Sequence, residues 1–183
     1  MNIYFDTEFE GLYKDAKLIS LGMIAENGKS IYIEFKDIDT ENLDAWVKDN
    51  VLSNTCLYGN ANIYDIIDED NYFTGNKEEI KGVLLHWLSQ FDSVQLISDV
   101  CHYDMVLFID IFGSAWDLPN NVNPFCIDLN QEIMKTFWLD GKQAFDFNRE
   151  EILDALDLKV VGKKHNSLYD AAVIKAIYEY CIQ

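Results

Sequence analysis

Asp6 and Glu8 stand two residues apart in Asn2–Phe9, a segment rich in aromatic and β-branched residues that predicts a central strand. On a strand both carboxyl groups leave one face while Thr7 leaves the other. Such a pair by itself is more often the end of a solvated strand, so its neighbours decide what it can do. Two further aspartates bear on it. On a helix starting at His102, Asp104 shares a face with Leu107, Phe108 and Ile111. On a helix starting at Ser167, Asp170 lines up with Val173, Ile174, Ile177 and Cys181, while Lys175 and Glu179 mark the outer side. An isolated carboxylate on an apolar stripe costs several kcal/mol unless it is neutralised, paired or given a metal. A first-turn acid gains only ~0.3–1 kcal/mol from the helix dipole. That accounts for either aspartate singly, and not for both together with the Asp6/Glu8 pair.

Four converging carboxylates repel one another, and an all-oxygen donor set is suited to relief by Mg²⁺ or Mn²⁺. Two such ions about 3.5–4 Å apart are a known device for cleaving phosphodiesters, one activating water and the other steadying the leaving oxygen. The chemistry also needs a base. His165 is the candidate, five residues before Asp170 in a Gly162-Lys163-Lys164-His165-Asn166 segment that reads as a loop entering the helix. An imidazole with an ordinary pKa near ~6.5 accepts a proton at neutral pH. A loop histidine taken alone is more often a solvated side chain; the spacing to Asp170 singles this one out.

Positioning these groups requires a sheet and helices packed on it. Strands over 17–25 and 30–35, joined by the hairpin signal Asn27-Gly28, follow the first strand and predict a three-stranded antiparallel meander. Thr40 is placed to cap a helix running to Leu52. The acidic, asparagine-rich stretch 53–76 predicts a short strand near 55–58 and then a surface loop. Periodicity predicts helices over 77–91, 102–112, 130–138, 148–156 and 167–181. Between them come a strand over 94–98 and, after a loop bounded by Pro119 and Pro124, a short apolar run over 124–129. Strands first, then strands alternating with helices, predict an α/β protein with a mixed sheet, part antiparallel and part parallel, flanked by helices.

The chain has 183 residues, 49% hydrophobic and 14% aromatic, with no composition break. One core and a single domain over 1–183 are expected. The opening MNIYFDTEFE lacks the basic and apolar segments of a signal peptide. Apolar runs such as 83–88 and 105–109 fall far short of the ~20 residues of a membrane span, so a soluble protein without a membrane is expected. Cys56, Cys101, Cys126 and Cys181 lie far apart with no CxxC pair. That argues against zinc and a disulfide framework and fits a reducing, cytoplasmic location. The net charge of -18 weighs against a sequence-reading DNA binder. It does not exclude a protein whose carboxylates recruit cations that then meet phosphate. Positive charge is unevenly placed: no Lys or Arg occurs from 82 to 134, whereas Lys159, Lys163 and Lys164 crowd the approach to His165.

Asp6-Thr7-Glu8, Asp104 within His102-Tyr103-Asp104-Met105-Val106-Leu107-Phe108, and His165-Asn166-Ser167-Leu168-Tyr169-Asp170 together resemble the three motifs of DnaQ-like, DEDDh-type exonucleases. Each motif is weak alone; their order and spacing, which span nearly the whole chain, are specific. The resemblance implies a ribonuclease-H-like fold and 3′-to-5′ removal of nucleotides. It implies that Asp6, Glu8 and Asp170 hold one divalent ion, that Asp6 with Asp104 holds the second, and that His165 is the general base. The H-x4-D form is that of the histidine branch and not the tyrosine one. Phe9 and Leu12 would flank the terminal base, ordinary core packing being the alternative for such apolar residues, and Lys164 would contact the substrate. The family's asparagine upstream of the middle aspartate is missing from Ser98-Asp99-Val100-Cys101-His102-Tyr103-Asp104, which leaves Asp99 as a competing acid. Asp104 is preferred because it fits the helix pattern, whereas Asp99 follows a strand end; His102 is expected to start the helix, with reaching the site as its alternative.

The early Asp-Thr-Glu-Phe is similar to a bacterial and phage branch of 3′-to-5′ exoribonucleases. The implied partner is therefore a single-stranded RNA 3′ end, with DNA left open because no residue here selects a 2′-hydroxyl. Family analogy points to a homodimer. A reading of another class is a catalytically silent acidic protein that occupies a partner's nucleic-acid groove by charge mimicry. It explains the charge of -18 and leaves the five ordered residues unexplained.

Overall fold

The first strand, β1 (Asn2–Phe9), alternates as a pleated backbone must: Ile3, Phe5 and Thr7 leave one face, Tyr4, Asp6 and Glu8 the other. The computed structural model describes residues 1–13 and 15–183 and builds a six-stranded sheet around this strand. On one side β1 pairs antiparallel with β2 (Leu18–Ala25), β2 antiparallel with β3 (Ser30–Phe35), and β3 parallel with β4 (Tyr72–Gly75). On the other side β1 pairs parallel with β5 (Val94–Ser98) and β5 parallel with β6 (Val122–Asp128). The meander and the mixed α/β sheet are those the sequence predicts. Gly28 closes the β2–β3 turn at φ +88°, a conformation that favours glycine.

Each face of the sheet has its own helical layer. Ile3, Phe5, Leu21, Met23, Ile31 and Ile33 pack against α2 (Lys77–Leu88) and α3 (His102–Phe112), burying Leu84, Leu88 and Phe108. The opposite face, with Tyr4 and Ile97, packs against α4 (Leu129–Phe137), α6 (Arg149–Ala155) and α7 (Ser167–Cys181). Full burial of one such large side chain contributes about 1.5–3 kcal/mol, so the two layers clamp β1 from both sides. Gly22 sets how closely α7 approaches: a Cβ there would stand 2.3 Å from the Leu168 nitrogen. The Ser20 and Ser167 hydroxyls bond across the same contact at 2.9 Å. Asp6 pairs with Gly22 and Glu8 with Ser20, so the first turn of α7 is laid directly beside both carboxylates.

Several elements differ from the sequence expectation. The helix expected over 40–52 is the shorter α1 (Ala45–Asn50), capped by Asp44 and not by Thr40. Asp39 accepts the Glu41 N–H and the Asn42 side-chain amide, which ties that stretch into a turn. The strand expected near 55–58 does not form, because the Cys56 and Leu57 N–H groups are bonded to the Glu34 carboxylate. The fourth strand lies instead at Tyr72–Gly75, inside the stretch read as a loop. The apolar run expected at 124–129 falls in β6 up to Asp128, an edge strand that tolerates Pro124, and Leu129 starts α4. A further helix, α5 (Gly141–Asp146), is capped reciprocally by Asp140 and Gln143. Among the described residues no helix is long and apolar enough to cross a membrane, and the four cysteines are free thiols.

Candidate active site

The antiparallel pairing of β1 runs on to Phe9, whereas its parallel pairing with β5 stops at Tyr4 and Ile97. Past that point no strand among the described residues lies along this edge of β1, and the start of α3 takes the place. Asp104, in the first turn of α3 and only 6% exposed, accepts the Thr7 N–H at 3.0 Å and the Thr7 hydroxyl at 2.5 Å on Oδ1. Its Oδ2 accepts the Ser98 hydroxyl at 3.0 Å. From the other face comes α7, whose N-cap Asn166 accepts the Leu168 and Tyr169 N–H groups. Asp170, in the first turn of α7, accepts the His165 N–H at 2.9 Å.

Glu8, His165 and Asp170 each present one ligand-capable atom within 4.8 Å of the other two. Asp6, Asp104, Phe9, Leu12 and Lys164 border the same cleft, a cavity of about 360 Å³. Every residue singled out from sequence as part of the site therefore meets there. The tight cluster is Glu8, His165 and Asp170; Asp104 differs in having both oxygens held by Thr7 and Ser98.

Protonation follows from this crowding. Burial pushes the Asp6 carboxyl well above the usual range, and the fields of Asp104, Asp170 and Glu8 push it further. Glu8 is raised in the same way, burial first and Asp170 next. Asp170 is pushed up to about 7 by burial, against the opposing His165 N–H. Asp104 reaches only about 6, because the Thr7 and Ser98 donors favour its ionised form. His165 shifts the other way: burial, and then the Lys164 charge, lower its affinity for a proton. Its imidazole is neutral at neutral pH and able to accept one. A set of carboxylate oxygens with an excess of negative charge and few donors fits Mg²⁺ or Mn²⁺.

Asp99, the competing acid, is in a two-pronged ion pair with Arg149, Nε–Oδ2 2.7 Å and Nη2–Oδ1 2.8 Å. A permanent cation thus neutralises it. His102 is exposed and starts α3, as expected. Lys164 reaches the cleft with its ammonium on Glu150 at 2.9 Å. Leu12 is 74% exposed, which removes core packing as its role. Phe9 stacks on Tyr103 with centroids 5.8 Å apart and planes 24° off parallel, forming an aromatic wall. Sequence reasoning does not reach Tyr103, Arg149, Glu150 or Trp46 as parts of this site. Arg149 left a usable signal, being the only arginine in the chain. Trp46, whose ring meets the His165 imidazole edge-on at 5.1 Å, left none, because that contact depends on how α1 docks.

No family model matches the chain. Over 133 residues it is 27% identical to the 3′-5′ exoribonucleases of two Mycobacterium tuberculosis strains, a match covering 72% of this chain and 73% of theirs. The nuclease domain of 3′hExo, a DEDDh family member bound to rAMP, shares the fold over 100% of this chain and 91% of that domain. The TM-score is 0.67 at 14% identity. The fold is that of the DEDDh-type, DnaQ-like exonucleases. S. pombe Pop2p, solved in a Mg²⁺- and Mn²⁺-bound form, shares the fold as well, with a TM-score of 0.60 at 15% identity over 97% of this chain and 81% of that one. The DnaQ-like resemblance read from the three motifs is borne out, while the homodimer drawn from family analogy gains no support from these likenesses.

Proposed function

We propose that this protein is a divalent-metal-dependent exonuclease that removes nucleotides from the 3′ end of single-stranded RNA. The observation that carries the reading is the meeting of Glu8, His165 and Asp170 within 4.8 Å, in a cleft also bordered by Asp6 and Asp104. Asp6, Glu8 and Asp170 would hold one cation, and Asp6 with Asp104 the second. Such ions supply positive charge against the phosphodiester and its leaving oxygen. His165, neutral at working pH, takes the proton of the attacking water. The wall of Phe9 and Tyr103, with exposed Leu12 beside it, offers a surface on which the terminal base stacks. Arg149 and Lys164 are already paired with Asp99 and Glu150, so the cleft has little spare positive charge. That suits grip on an end through metal and not along a duplex. RNA is favoured over DNA because the curated relatives are exoribonucleases and the 3′hExo domain binds rAMP.

The charge-mimic reading rests on the net charge of -18 and predicts no chemistry. One assay separates the two. Purified protein with Mn²⁺ or Mg²⁺ is incubated with 5′-labelled single-stranded RNA or DNA. A ladder shortening from the 3′ end, faster on RNA and lost in EDTA, in His165→Ala and in Asp6→Ala, is the expected result. Absence of hydrolysis of either polymer by the intact protein rejects the nuclease reading.

A further inference from the structure

The loop that presents His165 rests on a buried polar chain that begins two strands away. Glu34 on β3 is 0% exposed and accepts four hydrogen bonds. Oε1 takes the Tyr32 hydroxyl at 2.8 Å and the Cys56 N–H at 2.7 Å. Oε2 takes the Leu57 N–H at 2.6 Å and the Tyr72 hydroxyl at 2.9 Å. With its proton directed at Glu34, the Tyr32 oxygen serves as acceptor for Asn166 Nδ2 at 3.1 Å. The same Nδ2 reaches the Asn54 carbonyl at 3.3 Å. Asn54, 5% exposed, then turns its own amide to the Lys164 carbonyl at 2.9 Å and the Asn50 carbonyl at 2.6 Å.

The residue before His165 is therefore held through its carbonyl, and the residue after it through its side chain. Between them His165 has φ +62°, a left-handed conformation disfavoured for a residue with a Cβ. Surroundings that over-determine the backbone are what allow such a conformation to persist. The segment that carries Asn54 also carries Trp46, set against the imidazole itself. Ring and backbone of His165 are thus both held from one short stretch.

We propose that Asn54, anchored through Asn166 and Tyr32 to Glu34, is a positioning residue that sets His165 in its left-handed, proton-accepting pose. The proposal rests on the reading of His165 as general base. Asn54 touches no substrate; it acts on the rate through the imidazole.

A double-mutant cycle tests it, with Asn54→Ala, His165→Ala and the double variant assayed on 5′-labelled single-stranded RNA at saturating Mn²⁺. Asn54→Ala is expected to lower kcat about 10- to 100-fold. KM should stay within about twofold, and no further fall should occur in the His165→Ala background. An equal fall in both backgrounds, as a merely structural role would give, overturns the proposal; so does an unchanged kcat. Should Asn54→Ala not fold, Tyr32→Phe, which removes one hydroxyl, takes its place with an expected loss of about threefold, again only where His165 is present. A second readout needs no activity. The His165 ring resonance, assigned by its loss in His165→Ala, should be displaced from the free-imidazole position by the Trp46 ring current. In Asn54→Ala, or in Tyr32→Phe where that stands in, it should move toward the free position. If the intact protein hydrolyses nothing, the exonuclease reading fails while this resonance still decides the positioning claim, and a resonance that does not move overturns it.

Discussion

Glu8 and Glu34 lie in one cross-strand row on the same face of the sheet, with Ser20 between them, roughly 10 Å apart by strand spacing. Their surroundings are opposite. Glu34 accepts four hydrogen bonds and joins two strands to the 56–57 turn. Glu8 faces Asp170 and Asp104, which raise its proton affinity beyond what burial alone does. Donors decide the difference. Of these two, Glu34 is supplied with donors and serves as a structural joint, whereas Glu8 is supplied with other carboxylates and is suited to a cation. Neither the residue type nor its place on the strand distinguishes them.

Substitutions can break this contrast. The largest effect is expected from Asp6→Asn, which should lower the exonuclease rate on the order of 10³-fold or more, read from initial rates of ladder formation. A comparable loss in Glu34→Gln would erase the distinction between the two carboxylates.

The next effect is on stability against pH in metal-free protein. Asp104 and Asp170 are raised to about 6 and about 7, above the ordinary 3.8, so the folded state holds more protons than the unfolded one between those limits. Stability should therefore be fullest below about pH 4 on their account and fall as pH rises to about 7. Melting temperatures across this range check the slope, which should shrink in Asp170→Asn. An unchanged slope in that variant would show that the cluster is not its source.

Glu34→Gln should cost about 2–3 kcal/mol in urea unfolding, because its amide would oppose a donor now facing Oε1 or Oε2. Metal-free Asp6→Asn should be neutral or stabilising in the same experiment. The smallest effect is expected from Asp99→Asn. Its pairing with Arg149 is partly exposed, so about 1–2 kcal/mol of stability is at stake. The rate should change less than about threefold. A loss as large as that of Asp6→Asn would make Asp99 a working acid of the site.

Legibility in the sequence followed the range of the interactions. β1, α3 and α7 have the bounds expected from sequence, because β1 is a run of aromatic and β-branched residues and α3 and α7 each have an apolar stripe at helical spacing. That Asp6, Glu8, Asp104 and Asp170 share one cleft with His165, just ahead of α7, was legible from their spacing on and beside those elements. Around 55–58 the expectation failed, since structure there answers to a carboxylate on another strand: Glu34 draws off the N–H groups that a strand at 55–58 would have needed. Glu34 itself, in Ser-Ile-Tyr-Ile-Glu-Phe, has the alternation of a solvated strand face. Only the packing of the 55–58 segment and β4 around it turns that position inward. Trp46 and Asn54 escaped for the same reason, as their partners lie more than a hundred residues on.

The most direct test of the contrast is metal stoichiometry. Mn²⁺ titrated into the metal-free protein and followed by electron paramagnetic resonance should show about two ions bound per chain. Both should be weakened or lost in Asp6→Asn, and both retained in Glu34→Gln. No bound Mn²⁺, or the same binding in Asp6→Asn as in the unaltered protein, would contradict the assignment of these carboxylates as a metal site.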